Sequence, residues 1–321
     1  MKSDKRDDGW LTGRSYICEK MNREHMIKAA YRSFTAAPWK TDEAYREIEP
    51  ASPGLAGIVR CFWGSGRPYR RAEGSVCPTI VVPDTCADII YRIDHTENTV
   101  TGSFCGISDT SFVNYENIKP DHLVSIFAIR FYGWGTAMFS EDSLKGTLNG
   151  CCAVGERFGW LDRRLSQQLF EKDTLEERSR VAEQLLLERR PWPDRSGSQE
   201  TVDGAVARIL MRKGSLGAAE LAEECFVSSR QLERLFQEYM GIPPKKLCGL
   251  VRYQCLWNEI LRNPDFNMLD AVYKLGYTDQ SHLMREFKRY HTMDIKSAVR
   301  YARLNTPEIH VGNIQYSVGD S

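Results

Sequence analysis

The sequence predicts an α+β chain of two units: a β-rich N-terminal unit, a small barrel or sandwich closed by helices, followed by an all-α C-terminal unit. Three observations predict it. Residues 55–139 fall into short segments rich in β-branched and aromatic residues and bounded by Pro, Gly, Asp and Asn, among them "CPTIVVPDTCADIIYRI", "TVTGSFCGI" and "HLVSIFAIRFY". After residue 200, apolar residues recur at helical spacing in segments punctuated by Gly214, Gly241, Pro243, Pro244, Pro264 and Gly276. Between the two regions, "RRPWPDRSGSQE" at Arg189–Glu200 gathers two prolines, a glycine and two serines.

In chain order, residues 1–42 read as a charged, poorly ordered extension and residues 43–190 as the β-rich unit. Residues 191–200 read as a linker, 201–304 as the helical unit and 305–321 as a tail. Within the first unit, Leu161, Leu165, Leu169 and Leu175, then Val181, Ala182, Leu185 and Leu186, recur at helical spacing and predict one or two amphipathic helices closing it. A chain of 321 residues with 42% hydrophobic content is expected to build two cores. Lys+Arg and Asp+Glu balance at 43 each, so a nucleic-acid site must be a local patch.

No run approaches the roughly 18 apolar residues that span a bilayer. The opening "MKSDKRDDGWLTGRSYICEK" has no continuous apolar stretch of the secretory kind, so a cytoplasmic protein without a membrane partner is expected. Ten scattered cysteines without C-x-x-C then read as reduced thiols, including Cys61, Cys77, Cys86, Cys105, Cys151 and Cys152.

In the helical unit, "AAELAEECFVSSRQLERLFQEYMGI" and "MLDAVYKLGYTDQSHLMREFKRYHTM" share one plan. Each has a short helix (around Ala218–Cys225 and Met268–Leu275), a tight turn and a longer helix, with Leu232, Arg234 and Phe236 repeated as Leu283, Arg285 and Phe287. The second turn reads one residue longer. A short helix, a turn and a second helix with a polar outer face make a helix-turn-helix, whose second helix enters the DNA major groove. Ser228 with Gln231 fits a capping box; Gly276 supplies the second bend, with Thr278 or Asp279 as cap. Between the copies, Pro244–Arg262 predicts one helix of nineteen residues, a rod of roughly 28 Å at 1.5 Å per residue. That length suits two adjacent major-groove segments on one face of B-DNA, about 34 Å apart.

Residues Ser215–Arg300 resemble the DNA-binding domain of the AraC/XylS family of bacterial transcription regulators, with Gly276, Tyr277, Asp279, Gln280, Ser281, Arg285, Phe287 and Lys288 matching the second-motif signature. The resemblance implies base reading from the outer faces of the two second helices: Arg230, Glu233 and Arg234 in the first copy, and Gln280, Ser281, His282 and Arg285, with Lys288 alongside, in the second. The chemistry fits: Arg pairs bidentately with guanine, Gln pairs with adenine and Glu accepts from cytosine. From Gly241 to Arg303 eleven Lys/Arg face six Asp/Glu, an excess suited to phosphates, whereas the first copy carries Glu220, Glu223, Glu224, Glu233 and Glu238. The same residues also admit plainer readings. Leu232, Phe236, Leu283, Phe287 and Trp257 are core; Arg234 and Arg285 are alternatively intradomain ion-pair partners, and His282 alternatively makes no base contact.

Less specifically, "YREIEPASPGLAGIVRCFWGS", "VPDTCADIIYRI" and "FAIRFYGWGTAMF" resemble the sensor domain of that family. The resemblance implies a cupin-like β-barrel followed by helices that pair two subunits, hence an effector-responsive homodimer, more an activator than a repressor, with double-stranded DNA, RNA polymerase and an unidentified small molecule as partners. Trp63, Tyr91, Arg130, Tyr132 and Trp134 are the pocket candidates, Arg130 because an Arg among apolar strand residues must find a partner. An enzyme is not expected. His95 and His122 lack a clustered ligand motif, and there is neither Gly-x-Ser-x-Gly nor a phosphate-cradling Gly-rich loop, so no catalytic residue, metal or cofactor is assigned. The rival function is an interaction adaptor that keeps the helix-turn-helix fold without reading DNA.

Overall fold

The computed structural model describes residues 31–33, 45–70, 79–114, 119, 121–189, 197–263 and 265–304. The tail, nearly all of the N-terminal extension and residues 191–196 of the expected linker lie outside the described residues; 197–200 already form the first turn of a helix.

Among the described residues, eight strands build the N-terminal unit: β1 (Arg46–Ile48), β2 (Val59–Gly64), β3 (Thr79–Val81), β4 (Cys86–Asp94), β5 (Thr99–Cys105), β6 (Phe112–Asn114), β7 (Val124–Tyr132) and β8 (Cys151–Ala153). Six pair antiparallel in the order β1-β2-β7-β4-β5-β8, while β3 and β6 form a separate ladder. Strand β7, "VSIFAIRFY", is buried along its whole length, as its central place in the order requires. Strand β4 alternates, so Ile89, Tyr91 and Ile93 share a face with Phe127 and Ile129, their neighbours in register. Over that face lie helices α2 (Gly155–Phe170) and α3 (Leu175–Arg189), the first against β4, β5 and β8 and the second against β1, β2 and β7. Leu161, Leu165, Leu169, Leu185 and Leu186 complete this core, as their spacing predicted.

The sheet departs from the expected barrel. It is open, with β1 and β8 at its edges, and among the described residues no pairing closes it. Both edge strands are three residues long, and α2 and α3 cover the face that carries Ile89, Tyr91 and Ile93, the place a closing sheet would take. The thiol expectation is corrected for two cysteines, while Cys61, Cys86, Cys152, Cys225, Cys248 and Cys255 are free. Cys105 and Cys151 stand directly opposite each other in the β5–β8 ladder and are joined as a disulfide, a pairing that only the strand register brings about.

A one-turn helix, α1 (Gly133–Thr136), leaves the end of β7 and packs against the C-terminal unit. That unit contains α4 (Gly197–Met211), α5 (Ala218–Glu224), α6 (Ser229–Met240), α7 (Pro244–Arg262), α8 (Met268–Leu275), α9 (Gln280–His291) and α10 (Ile295–Leu304). There are two cores, as expected, but the second is not confined to the helices: Cys86, Ile107, Tyr132 and Trp134 from the β-rich unit are part of it. Among the described residues no helix is long and apolar enough to cross a membrane.

Candidate nucleic-acid interface

Each copy of the repeated motif forms as a local consequence of its caps. Ser228 has extended backbone and its hydroxyl accepts from Gln231 N, starting α6. Asp279 does the same for α9, its Oδ1 accepting from His282 N at 2.7 Å, and Asn267 starts α8 by accepting from Leu269 N and Asp270 N. Gly276 ends α8 with φ of 70°, the left-handed cap that glycine adopts without penalty. The turns are Cys225–Ser228 and Gly276–Asp279, four residues each, so the second is not the longer. They differ in which residue takes the left-handed conformation: Phe226 in the first, Gly276 in the second.

Helix α7 runs over the predicted nineteen residues. It packs against α4 and α6 at one end of the motif pair and against α8 and α9 at the other. The second contact is fixed by a bidentate ion pair, Arg252 Nε to Glu286 Oε1 at 2.8 Å and Nη2 to Oε2 at 2.7 Å, with the guanidinium lying over the Tyr277 ring. Leu232, Leu235, Phe236 and Met240 bury the inner face of α6; Leu283, Phe287 and Tyr290 bury that of α9. Trp257 is buried in the same core.

The outer faces are then what burial leaves. Arg230, Glu233 and Arg234 on α6 are exposed, as are Gln280, Ser281, Arg285 and Lys288 on α9. Two of the eight candidates are committed within the molecule. Arg234 Nη1 donates to Glu238 Oε2 at 3.0 Å, the intradomain pair that the plainer reading allowed. His282, half-buried, accepts from Thr278 N at its Nδ1 and lies edge-on to Tyr277. Gln280, Ser281, Arg285 and Lys288 have no side-chain partner among the described residues. The acidic residues of the first copy are largely spent: Glu224 pairs with Arg208 and Arg212, and Glu220 reaches back to Gly217 N.

The sequence of residues 221–298 matches a family described as a helix-turn-helix domain, of AraC type. These residues are an AraC-type helix-turn-helix domain. No curated protein matches the chain in sequence. Among solved structures, a transcriptional regulator with an AraC-type DNA-binding domain from Chromobacterium violaceum is 21% identical, covering 34% of this chain and 98% of that one with a TM-score of 0.31. ToxT from Vibrio cholerae is 11% identical over 72% of this chain and 96% of its own, with a TM-score of 0.35. An unsaturated fatty acid-bound form of ToxT is 10% identical, covering 72% and 97%, also with a TM-score of 0.35.

Of the pairings made by cations counted in the AraC-type domain, two consume an anion of the same count and leave the excess unchanged, and only that of Lys246 lowers it. Arg252 is taken by Glu286, Lys274 by Glu259 and Lys246 by Asp109 of the β-rich unit. Lys245, Lys296 and Arg300 remain exposed beside Arg285 and Lys288. An open groove of about 440 Å³ runs along α6, lined by Glu233, Arg234, Gln237 and Glu238 on one wall and Ser143 and Lys145 on the other. That second wall was not legible in the sequence, because contacts between units carry no local signature.

The five pocket candidates do not gather in one place. Tyr91 is in the core beneath α2, while Tyr132 and Trp134 stack on each other at 4.8 Å in the core shared with the AraC-type domain. Arg130 finds its partner in Asp88, directly across the ladder, through Nε and Nη2, and Trp63 Nε1 donates to the same carboxylate. His122 is less isolated than its sequence position implied: its Nδ1 lies 2.6 Å from Asp94 Oδ2, with Glu97 beside them. Lys119 pairs Glu97 at 2.7 Å, so this trio already carries its own cation.

Proposed function

We propose that the chain is a cytoplasmic, effector-responsive homodimeric regulator of transcription that reads two adjacent major-groove segments and acts with RNA polymerase as an activator. The observation that carries the reading is the outer face of α9, where Gln280, Ser281 and Arg285 stand exposed and, among the described residues, without side-chain partners, on a helix whose start is fixed by Asp279. Amide, hydroxyl and guanidinium groups held out from a rigid helix are the donors and acceptors that distinguish base edges in the major groove. Lys288, Lys296 and Arg300 supply phosphate contacts. Arg230 and Glu233 form the corresponding face of α6; Arg234 joins them by exchanging Glu238 for a base or phosphate, and His282 orders the first turn of α9. The sensing unit spans residues 43–190 and the DNA-binding unit 201–304. The effector acts through the β-rich unit, whose Tyr132 and Trp134 sit in the core of the DNA-binding unit. Trp63 and Arg130, meeting on Asp88, are the first residues to vary in search of its site.

Selection of bound fragments from random-sequence DNA by the full chain tests the reading. A consensus of two elements about one helical turn apart is expected, and recovery of unrelated sequences refutes sequence-specific recognition. Arg285→Ala should weaken the selected site by about 1–3 kcal/mol while leaving competitor DNA nearly unchanged. Equal loss on both assigns Arg285 to a phosphate or to folding. The adaptor reading draws on the Arg234–Glu238 pair and on the loop facing α6. Phosphate neutralisation makes binding fall steeply with salt, so retention that ignores salt favours the adaptor.

A further inference from the structure

Among the described residues, two of the segments by which the β-rich unit reaches the AraC-type domain are loops based at the disulfide; a separate contact runs from Gln254 Nε2 to Pro83 O. From Cys105 the chain continues through Gly106 to Ser111; Asp109 pairs with Lys246 at the head of α7, and Ser111 N and Oγ donate to Tyr290 O at 3.0 and 2.9 Å. The second loop runs into Cys151 from Glu141, and there Leu144 N donates to Glu238 O at 2.9 Å. Glu238 and Tyr290 occupy the last turns of α6 and α9, where carbonyls have lost their helical donors. Each reading helix therefore has its C-terminal end held by a separate loop of the sensing unit.

The two loops are bound to each other as well. Gly106 N donates to Gly150 O and Asn149 N to Ile107 O, while the Asn149 side chain bridges Ser108 and Asp109. At their common base the Cys105–Cys151 bond is the covalent closure. Cys151 is exposed on the edge strand β8 and Cys105 is half-buried. Their neighbour Cys152 sits opposite Phe104 on the inward side of the pleat, against the sheet core, where burial pushes its thiol up.

We infer that Cys105 and Cys151 are a thiol–disulfide modification site that sets how firmly the two reading helices are held in register for DNA. A solvent-facing disulfide exchanges readily with thiols, and in a reducing compartment such bonds are transient. The reductant is a low-molecular-weight thiol. Its thiolate attacks the exposed Cys151 sulfur, the S–S bond breaks, and Cys105 leaves as a thiolate that takes up a proton. A second thiol attacks the mixed disulfide and releases Cys151. Two external thiols thus become one external disulfide, and the two electrons go to the cysteine pair. With the closure open, the loops keep only hydrogen bonds to each other, and preorganisation of α6 and α9 is lost. Because preorganisation spares the ordering cost of binding, the oxidised chain is the tighter DNA binder.

The affinity part of this inference rests on the DNA-binding reading, and the experiment separates the two. The full-length chain, oxidised or treated with a dithiol, is titrated with its selected DNA, and backbone hydrogen exchange is followed without DNA. Reduction should speed exchange in residues 106–111, 141–150 and 238–246 and weaken binding on the order of tenfold, within the usual range of coupling between sites. Cys105→Ser/Cys151→Ser should show the reduced values under both conditions, and Cys152→Ser should respond as the wild type does. Peptide mapping that finds no Cys105–Cys151 link in the oxidised chain, or equal affinity in the two states, overturns the proposal. So does a redox response that survives in the double variant. If reduction speeds exchange in a chain that binds no DNA in either state, the DNA-binding reading falls, and the modification site's link to affinity falls with it.

Discussion

His291 gives the C-terminal core a dependence on pH. It is buried at the end of α9, stacked on Phe287 at 4.9 Å, with Trp257 at 4.6 Å and a 2.7 Å hydrogen bond shared with the Tyr253 hydroxyl. Burial pushes its pKa down from 6.5 to about 3. The unfolded chain therefore takes up a proton below about pH 6.5 that the folded chain refuses. Stability from this group is complete above that pH and falls toward pH 3 at about 1.4 kcal/mol per unit. Urea titration at about pH 7.5 and about pH 5 should show a loss near 2 kcal/mol from His291, and His291→Phe should show that much less. An unchanged pH sensitivity in the variant rules this out. Phe226 offers the opposite case, a residue whose environment works against it: φ is 56° and the ring is 94% exposed. Asn tolerates the left-handed region far better, so Phe226→Asn should raise stability by about 0.5–1 kcal/mol, seen as a higher thermal midpoint. A lower midpoint would mean that the ring contributes more than its exposure implies.

At the scale of elements, two glycines report different things through the same backbone geometry. Gly241 ends α6 with φ of 73° and Gly276 ends α8 with φ of 70°, so an alanine at either meets a similar conformational penalty. Their surroundings differ. A Cβ on Gly241 would lie 2.4 Å from Thr147 Oγ1 and 2.6 Å from Leu144 O, whereas one on Gly276 first meets Ser215 Cβ at 3.0 Å. Thermal unfolding of the two alanine variants should show a larger loss for Gly241→Ala, with the excess measuring the loop from the β-rich unit; equal losses would mean that the loop yields freely. The two sites also show what was legible in the sequence. Helices α7 and α8, the caps Ser228 and Asp279 and the cap glycine Gly276 were readable because each depends on residues a few positions away. The thread from Leu144 to Glu238 was not, since nothing in either segment announces a partner so distant in sequence. For the same reason Lys246 counted as a phosphate-binding cation and is instead an interunit ion pair, while Cys105 and Cys151 needed strand register to meet. The open sheet was hidden differently: short alternating segments fit an open or a closed arrangement equally well, and only the pairing order decides.

At the scale of the whole molecule, the question is whether the β-rich unit and the AraC-type domain can loosen independently. Trp134 argues that they cannot. It is buried on α1, stacked on Tyr132 at an interplanar angle of 5°, with Nε1 donating to Gly57 O at 2.7 Å, and it belongs to the core formed by α4, α6 and α7. One side chain thus anchors the loop before β2 and fills space beneath α6. Trp134→Ala should cost about 3–5 kcal/mol through lost burial and the cavity it leaves. The distribution of the damage is the informative part. If the core is one cooperative body, hydrogen exchange in the variant should quicken in α4 and α6 as well as in β2 and β7, and denaturant unfolding followed by segment should give coincident midpoints. Protection retained in α6 while β2 and β7 open would show that the units part company before either unfolds. The link between the units would then rest on hydrogen bonds, those of the two loops based at Cys105 and Cys151 and that of Gln254 Nε2 to Pro83 O among them, rather than on packed side chains.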